Sequence, residues 1–164
     1  MLSVGGIGLV PHLLKIVMPD KSTIEKAKKD KEEGKSASTQ AGEFVHDEIK
    51  KIRKGKHGAR SPQQAIAIGL SEARRAGVDL PAPKTGGEAL KKKAAQDKKR
   101  SKSRKPVSVK RSRARQEALK KEPTTTVSSK ALSTQAKSAA KKRTAADRSK
   151  AAKKAVKTKG SAQR

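Results

Sequence analysis

Apolar residues fall at helical intervals only between about residues 39 and 80; the first seventeen residues are apolar without that pattern, and most of the remaining chain is polar or small. In "STQAGEFVHDEIKKIRKG", Ala41, Val45, Ile49 and Ile52 recur at spacings of four, four and three, one stripe of a helix predicted from about Thr39 to Lys54. Phe44 lies beside that stripe. Acids (Glu43, Asp47, Glu48) precede bases (Lys50, Lys51, Arg53, Lys54), which suits the helix dipole at both ends, and Gly55 supplies a stop. A second helix is written in "RSPQQAIAIGLSEARRAGV": Ser61 is a good N-cap, Pro62 fits the first turn, Gln64 completes a capping box, and Gly77 closes the end. Ile66, Leu70 and Ala73 line one face. Gly69 sits beside them and costs about 1 kcal/mol against alanine in a helix interior, which points to close approach of another helix. Ile68 falls on the opposite side, either exposed or marking a second contact surface. The two segments read as a helical hairpin.

A further helix is predicted from about Thr23 to Glu33, with Ser22 and Glu25 as a capping box and Gly34 as its stop. Ile24 is its only large apolar residue, so it has no face to bury and is expected to fray. Pro81 and Pro83 end the hairpin. Four segments result: an apolar extension over 1–17, a charged and partly helical segment over 18–37, a helical module over 38–83, and a tail over 84–164. The fold class is mainly α, a small helical hairpin or three-helix module followed by a long disordered basic tail. The module's large apolar set is short (Phe44, Val45, Ile49, Ile52, Ile66, Leu70, Val78 and Leu80), and a core of that size is marginal alone. A homodimer that shares the core through residues 41–80 is one way to complete it.

Charge alters the picture most. Residues 1–90 carry a net +5 and residues 91–164 a net +23. From 86 to 164 only seven of 79 residues are Ile, Leu, Val, Met or Phe, too few to offset roughly 1–2 kcal/mol of backbone entropy per ordered residue. The tail is therefore expected to be disordered in isolation, with helix forming on a polyanion over 111–121 and 137–158. A basic arm beside a nearly neutral module implies a polyanionic partner. Candidate phosphate contacts are Lys50, Lys54, Lys56, Arg60, Arg74 and Arg75 in the module, and Lys91, Lys92, Lys93, Lys98, Lys99, Arg100, Lys110, Arg111, Arg113, Arg115, Lys141, Lys142, Arg143, Lys153 and Lys154 in the tail. No aromatic residue follows Phe44, so the arm cannot stack on unpaired bases, and duplex backbone is favoured over single strands. Gln63 and Gln64 are the only base readers near a helix N-terminus, and Gln64 doubles as a cap.

Little else carries chemistry. There is no cysteine, and His12, His46 and His57 lack metal-ligand spacing, so neither disulfide nor metal is expected. "GGIGLVP" and "GKS" lack the glycines of nucleotide-binding loops. The opening "MLSVGGIGLVPHLLKIV" has no basic start or cleavage site and is too short and broken to span a bilayer. Translation starting at Met18 would make these residues an artefact of start-site choice; the alternatives are a weak membrane-surface or partner contact, or a signal. No nucleophile–base pair or paired-carboxylate pocket suggests an enzyme, and no cofactor is implied.

The run "STQAGEFVHDEIKKIRKGKHGARSPQQAIAIGLSEARRAGVDLPAP" resembles a family of small bacterial proteins of unknown function, some of them labelled plasmid-stabilisation or DNA-binding proteins. The resemblance extends over roughly Met18 to Pro83 and implies no catalytic residue. The tail resembles linker-histone tails in composition. The expected function is non-enzymatic, histone-like binding of DNA phosphates with little sequence specificity, in a cytoplasmic, nucleoid-associated protein. The alternatives are a protein-interaction adaptor in plasmid maintenance or stress response, and an RNA- or ribosome-associated protein.

Overall fold

The computed structural model describes residues 19–83, 87–103 and 108–161, with side chains as far as Val156. The apolar extension over 1–17 lies outside them. Among the described residues there are seven α-helices and no strand: α1 (Lys21–Glu32), α2 (Ala37–Arg53), α3 (Pro62–Arg75), α4 (Glu88–Ser101), α5 (Val109–Lys120), α6 (Ser129–Lys141) and α7 (Ala145–Ser161), with a short 3-10 turn at Thr125–Val127. The chain is mainly α. It forms two compact units, residues 1–127 and 128–164.

The helix signals are realised at most of the expected ends. Ser36 and Ser61 cap α2 and α3, accepting from the backbone N–H groups of Thr39 and Gln64. The Gln64 side chain accepts in turn from the Arg60 N–H at 2.7 Å, one residue earlier than a standard capping box. Gly34, Gly55 and Gly77 all take positive φ just past the helix ends. Two details of α1 differ. Its N-cap is Asp20, with no side-chain bond, and Ser22 lies inside the helix. It also has a buried face: Thr23 and Ala27 are buried, and Ile24 packs with them against α2. Small side chains suffice for that face because α2 lies close, a tertiary effect that apolar spacing does not register.

The hairpin is where the sequence places it, and Gly69 explains why the helices come so close. A Cβ there would sit 2.7 Å from the Val45 Cα and 2.9 Å from its N. Only glycine lets α3 lie on the α2 backbone at that point. The buried stripes, however, are rotated from the apolar ones. On α2 the buried positions are Gln40, Ala41, Phe44, Glu48, Lys51 and Ile52, while Val45 and Ile49 are half-buried. On α3 they are Ala65, Gly69, Glu72 and Ala73, with Ile66, Ile68 and Leu70 half-buried. Two small clusters result. One joins Ala27, Ala41, Phe44, Ala73 and Val78, and the other Ile52, Ala59, Ala65 and Val127.

Val127 belongs to the segment expected to be a disordered tail. That disorder is not shown, and the first unit continues well past Pro83. Helix α4 docks on α3 through Ala94 and Asp97, whose carboxylate accepts from Ser71 Oγ at 2.5 Å and from Lys93 Nζ at 3.1 Å. Residues 119–127 then staple the α2–α3 loop. Gly58 N–H donates to Leu119 O, Ala59 N–H to Pro123 O, Thr126 Oγ1 to Ala59 O, and Arg53 Nε to Val127 O. Gly58 is required there, since a Cβ would fall 1.8 Å from Glu122 O. Ala94 and Val127 are buried while Leu90 and Val109 are exposed, a distinction that overall composition cannot reveal.

The second unit is held differently. No residue of α6 is buried, and α7 is exposed at every position with a described side chain. Alanine and lysine are strong helix formers, and caps start both helices: Ser128 accepts from Ala131 N–H, and Thr144 pairs with Asp147 through both side chain and backbone. The cap at Thr144 divides the single helix expected over 137–158, which is interrupted at Lys142–Thr144. Residues 109–120 are helical, close to the expected 111–121.

Candidate nucleic-acid interface

Helices α2 to α5 hold most of the candidate phosphate contacts, and their geometry separates them into three kinds. Lys50, Lys54 and Lys56 are exposed on α2 and the loop after it. Arg60 is exposed but faces Glu122 at 3.3 Å. Arg74 and Arg75 are half-buried and partly used within the fold: Arg74 donates to Pro81 O at 3.3 Å, and Arg75 Nε to Ser71 O at 3.2 Å. On α4, Lys91 pairs with Glu88, Lys93 with Asp97, and Lys98 with Asp79, whose carboxyl Lys98 holds below its ordinary pKa.

The third kind, like Lys50, Lys54 and Lys56, has no carboxylate within ion-pair distance among the described residues, and it lies on α4 and α5. Lys92, Lys99 and Arg100 on α4 belong to it, as do Lys110, Arg111, Arg113 and Arg115 on α5. All seven are exposed. Gln116 is the one buried position of α5, so its arginines surround a helix anchored along a single line. Planar guanidinium groups suit two phosphate oxygens at once. In the second unit, Lys141, Lys142, Arg143, Lys153 and Lys154 are exposed. Of the two candidate base readers, Gln64 is taken by the Arg60 N–H.

Beneath this surface is a feature that apolar patterning missed. Glu48, Lys51, His57 and Glu72 are each no more than 5% exposed. Lys51 Nζ lies 2.7 Å from Asp47 Oδ2, an ion pair in which neither atom makes a directed hydrogen bond. His57 Nε2 stands 3.6 Å from Glu48 Oε2, and its Nδ1 approaches Gly58 O at 3.2 Å. Glu48 Oε1 and Glu72 Oε2 are buried without a hydrogen-bond donor. Burial pushes the Glu72 carboxyl up to about 7, against the opposing pull of Lys51. The Glu48 carboxylate raises the His57 pKa, with burial opposing. Burial works to lower Lys51, but Asp47, Glu72 and Glu48 together hold it above its ordinary value.

The cluster faces a cavity of about 490 Å³ between α3, α4 and α5, floored by Glu48, His57 and Glu72 and walled largely by apolar side chains. Ile68, whose direction away from the hairpin was unexplained, lines it. The sequence does contain a trace of this arrangement. Ala41, Phe44, Glu48 and Ile52 follow spacings of three, four and four, and Ala65, Gly69 and Glu72 of four and three. Counting only apolar residues hides a stripe whose centre is charged. Among the described residues no group of three or more His, Asp or Glu side chains is placed to hold a metal ion, and no helix is long and apolar enough to cross a membrane.

Residues 22–84 match a family of unknown function (DUF6496). The match covers α1 to α3 and stops before α4, so α3, Glu48, His57 and Glu72 lie within it, while α4, α5 and the segment that staples the loop lie beyond it. No curated protein matches the chain, and no solved structure does.

Proposed function

We propose that this chain is a non-enzymatic, histone-like protein that binds the phosphate backbone of double-stranded DNA with little sequence preference, in association with a bacterial nucleoid. The observation that carries this reading is the set of exposed, carboxylate-free cations on α4 and α5, together with the exposed lysines and arginines among the described side chains of the second unit. Net charge over 91–164 is +23, far beyond what solubility requires. The capture of Gln64 by a backbone cap and the lack of any aromatic residue after Phe44 both favour backbone contact over base readout. Val127 and Ala94 cover the hairpin within one chain, so a dimer through residues 41–80 is not part of this reading.

The test is fluorescence anisotropy on duplexes of unrelated sequence across a salt series. If about eight phosphates are neutralised at once, the slope of log affinity against log salt is roughly −7. Affinity that ignores salt, or that discriminates strongly between the duplexes, would overturn the proposal. Competition by structured RNA at equal charge, with preference for the RNA, would transfer the same physics to an RNA partner.

A further inference from the structure

We infer that the cavity between α3, α4 and α5 binds a free monocarboxylate with a medium-length aliphatic chain. Its volume of about 490 Å³ falls in the usual range for small-ligand sites. Ile68 from α3, Leu90 and Ala94 from α4, and Leu119 from α5 give it apolar walls. Leu90 lines the cavity and is nonetheless 56% exposed, so the cavity opens to solvent along an uncovered apolar wall. An aliphatic chain laid against that wall removes its surface from water.

The head group follows from which charges around the cavity a ligand can reach. The three acids of its lining, Glu48, Glu72 and Asp97, are 1%, 3% and 1% exposed. Asp97 is already engaged by Ser71 Oγ and Lys93 Nζ. Beneath the glutamates, Lys51 pairs with Asp47 and His57 stands against Glu48. The basic lining is the reverse: Arg74 and Arg75 are half-buried, and Lys93 and Arg115 are exposed. Arg74 is occupied with Pro81 O and Lys93 with Asp97, whereas Arg75 and Arg115 have no carboxylate within ion-pair distance among the described residues. A guanidinium presents paired N–H donors that match a carboxylate, so Arg75 and Arg115 are the partners assigned to the head group. A cation entering the cavity would meet four basic side chains and no reachable acid. Solvent screens the exposed Arg115, so burial of the chain supplies most of the affinity and the arginines decide the sign of the head group.

Calorimetric titration of the full chain with octanoate tests this, against octanol, octylammonium and acetate as neutral, cationic and chainless controls. Saturable one-to-one binding of octanoate is expected, at least about tenfold tighter than any control. Acetate registers the non-specific attraction of so basic a chain. Leu90→Glu sets a carboxylate on the open wall, and Arg115→Gln removes a head-group partner. Both positions are exposed, so the fold should tolerate either change, checked by far-UV circular dichroism. The first should weaken octanoate by at least about tenfold and the second by about fivefold. Equal or tighter binding of octanol or octylammonium, many octanoates per chain, unchanged affinity in either variant, or no saturable binding at millimolar octanoate would each overturn the inference. So would octanoate binding that appears only after residues 1–17 are removed, since the chain's own apolar extension would then be the occupant.

Discussion

Replacing Val127 with alanine should destabilise the first unit by about 2 kcal/mol, although the residue lies in a stretch whose composition reads as solvated tail. Val127 is fully buried, against Ile52, Ala59 and Ala65, and its carbonyl accepts from Arg53. The substitution deletes two methyl groups at about 0.8 kcal/mol each and leaves a cavity that adds to the loss. The backbone bonds of the staple survive, so the effect isolates side-chain packing. Urea unfolding followed by far-UV circular dichroism would show the midpoint of the cooperative transition falling with its slope unchanged. Val156→Ala is the internal control: Val156 is 72% exposed on α7, so its change should stay within about 0.5 kcal/mol. A Val127→Ala shift as small as that of the control would refute the staple and return residues 119–127 to the solvated tail.

Gly69→Ala should lower stability by about 1 kcal/mol, because overpacking against the Val45 backbone, at about 1–3 kcal/mol, outweighs the gain of about 1 kcal/mol in helix propensity. A variant more stable than the parent in the same urea assay would show that α2 and α3 do not cross so closely. Glu72 has a folded pKa raised to about 7, so its contribution is fully present below its ordinary value of 4.5 and is lost as pH rises through 7. Glu72→Gln should therefore match the parent at low pH and exceed it by about 3 kcal/mol in alkali, at 1.36 kcal/mol per pKa unit. Stability curves that stay parallel across that range would contradict the buried state of the carboxyl. Ending the chain after Val127 cuts the net charge of the basic region from +23 to +12 while keeping the first unit whole. DNA affinity should fall and its salt slope should become shallower, by anisotropy, with the urea midpoint unchanged; an unaltered slope would remove the second unit from the interface.

Local chemistry was enough to read the helical hairpin from the residues alone. Ser36 was not singled out, but Ser61, Pro62, Gly34, Gly55 and Gly77 act within a turn of themselves, and their effect needs no distant partner. The mainly α class and the close approach at Gly69 follow from the same short-range reasoning. The phosphate-facing candidates were legible as charge. Which of them are already committed within the fold was legible only for the local pairs Lys91–Glu88 and Lys93–Asp97 on α4, because Asp79 and Glu122 meet Lys98 and Arg60 only through the packing of α4 and the staple.

What only the tertiary structure decided is the fate of polar residues on helix faces and of rare apolar residues in a charged segment. Glu48 and Glu72 are surface residues by type and become buried because α2 and α3 cross at glycine and α4 and α5 close over them. Val127 and Ala94 each sit among lysines and serines, yet both are core. Composition averages over a window, whereas burial depends on one side chain meeting a surface that lies tens of residues away in the chain. Capping and periodicity are set by near neighbours and so can be read in order along the sequence; the cavity and the buried Glu48 and Glu72 beside it exist only once the chain has returned on itself.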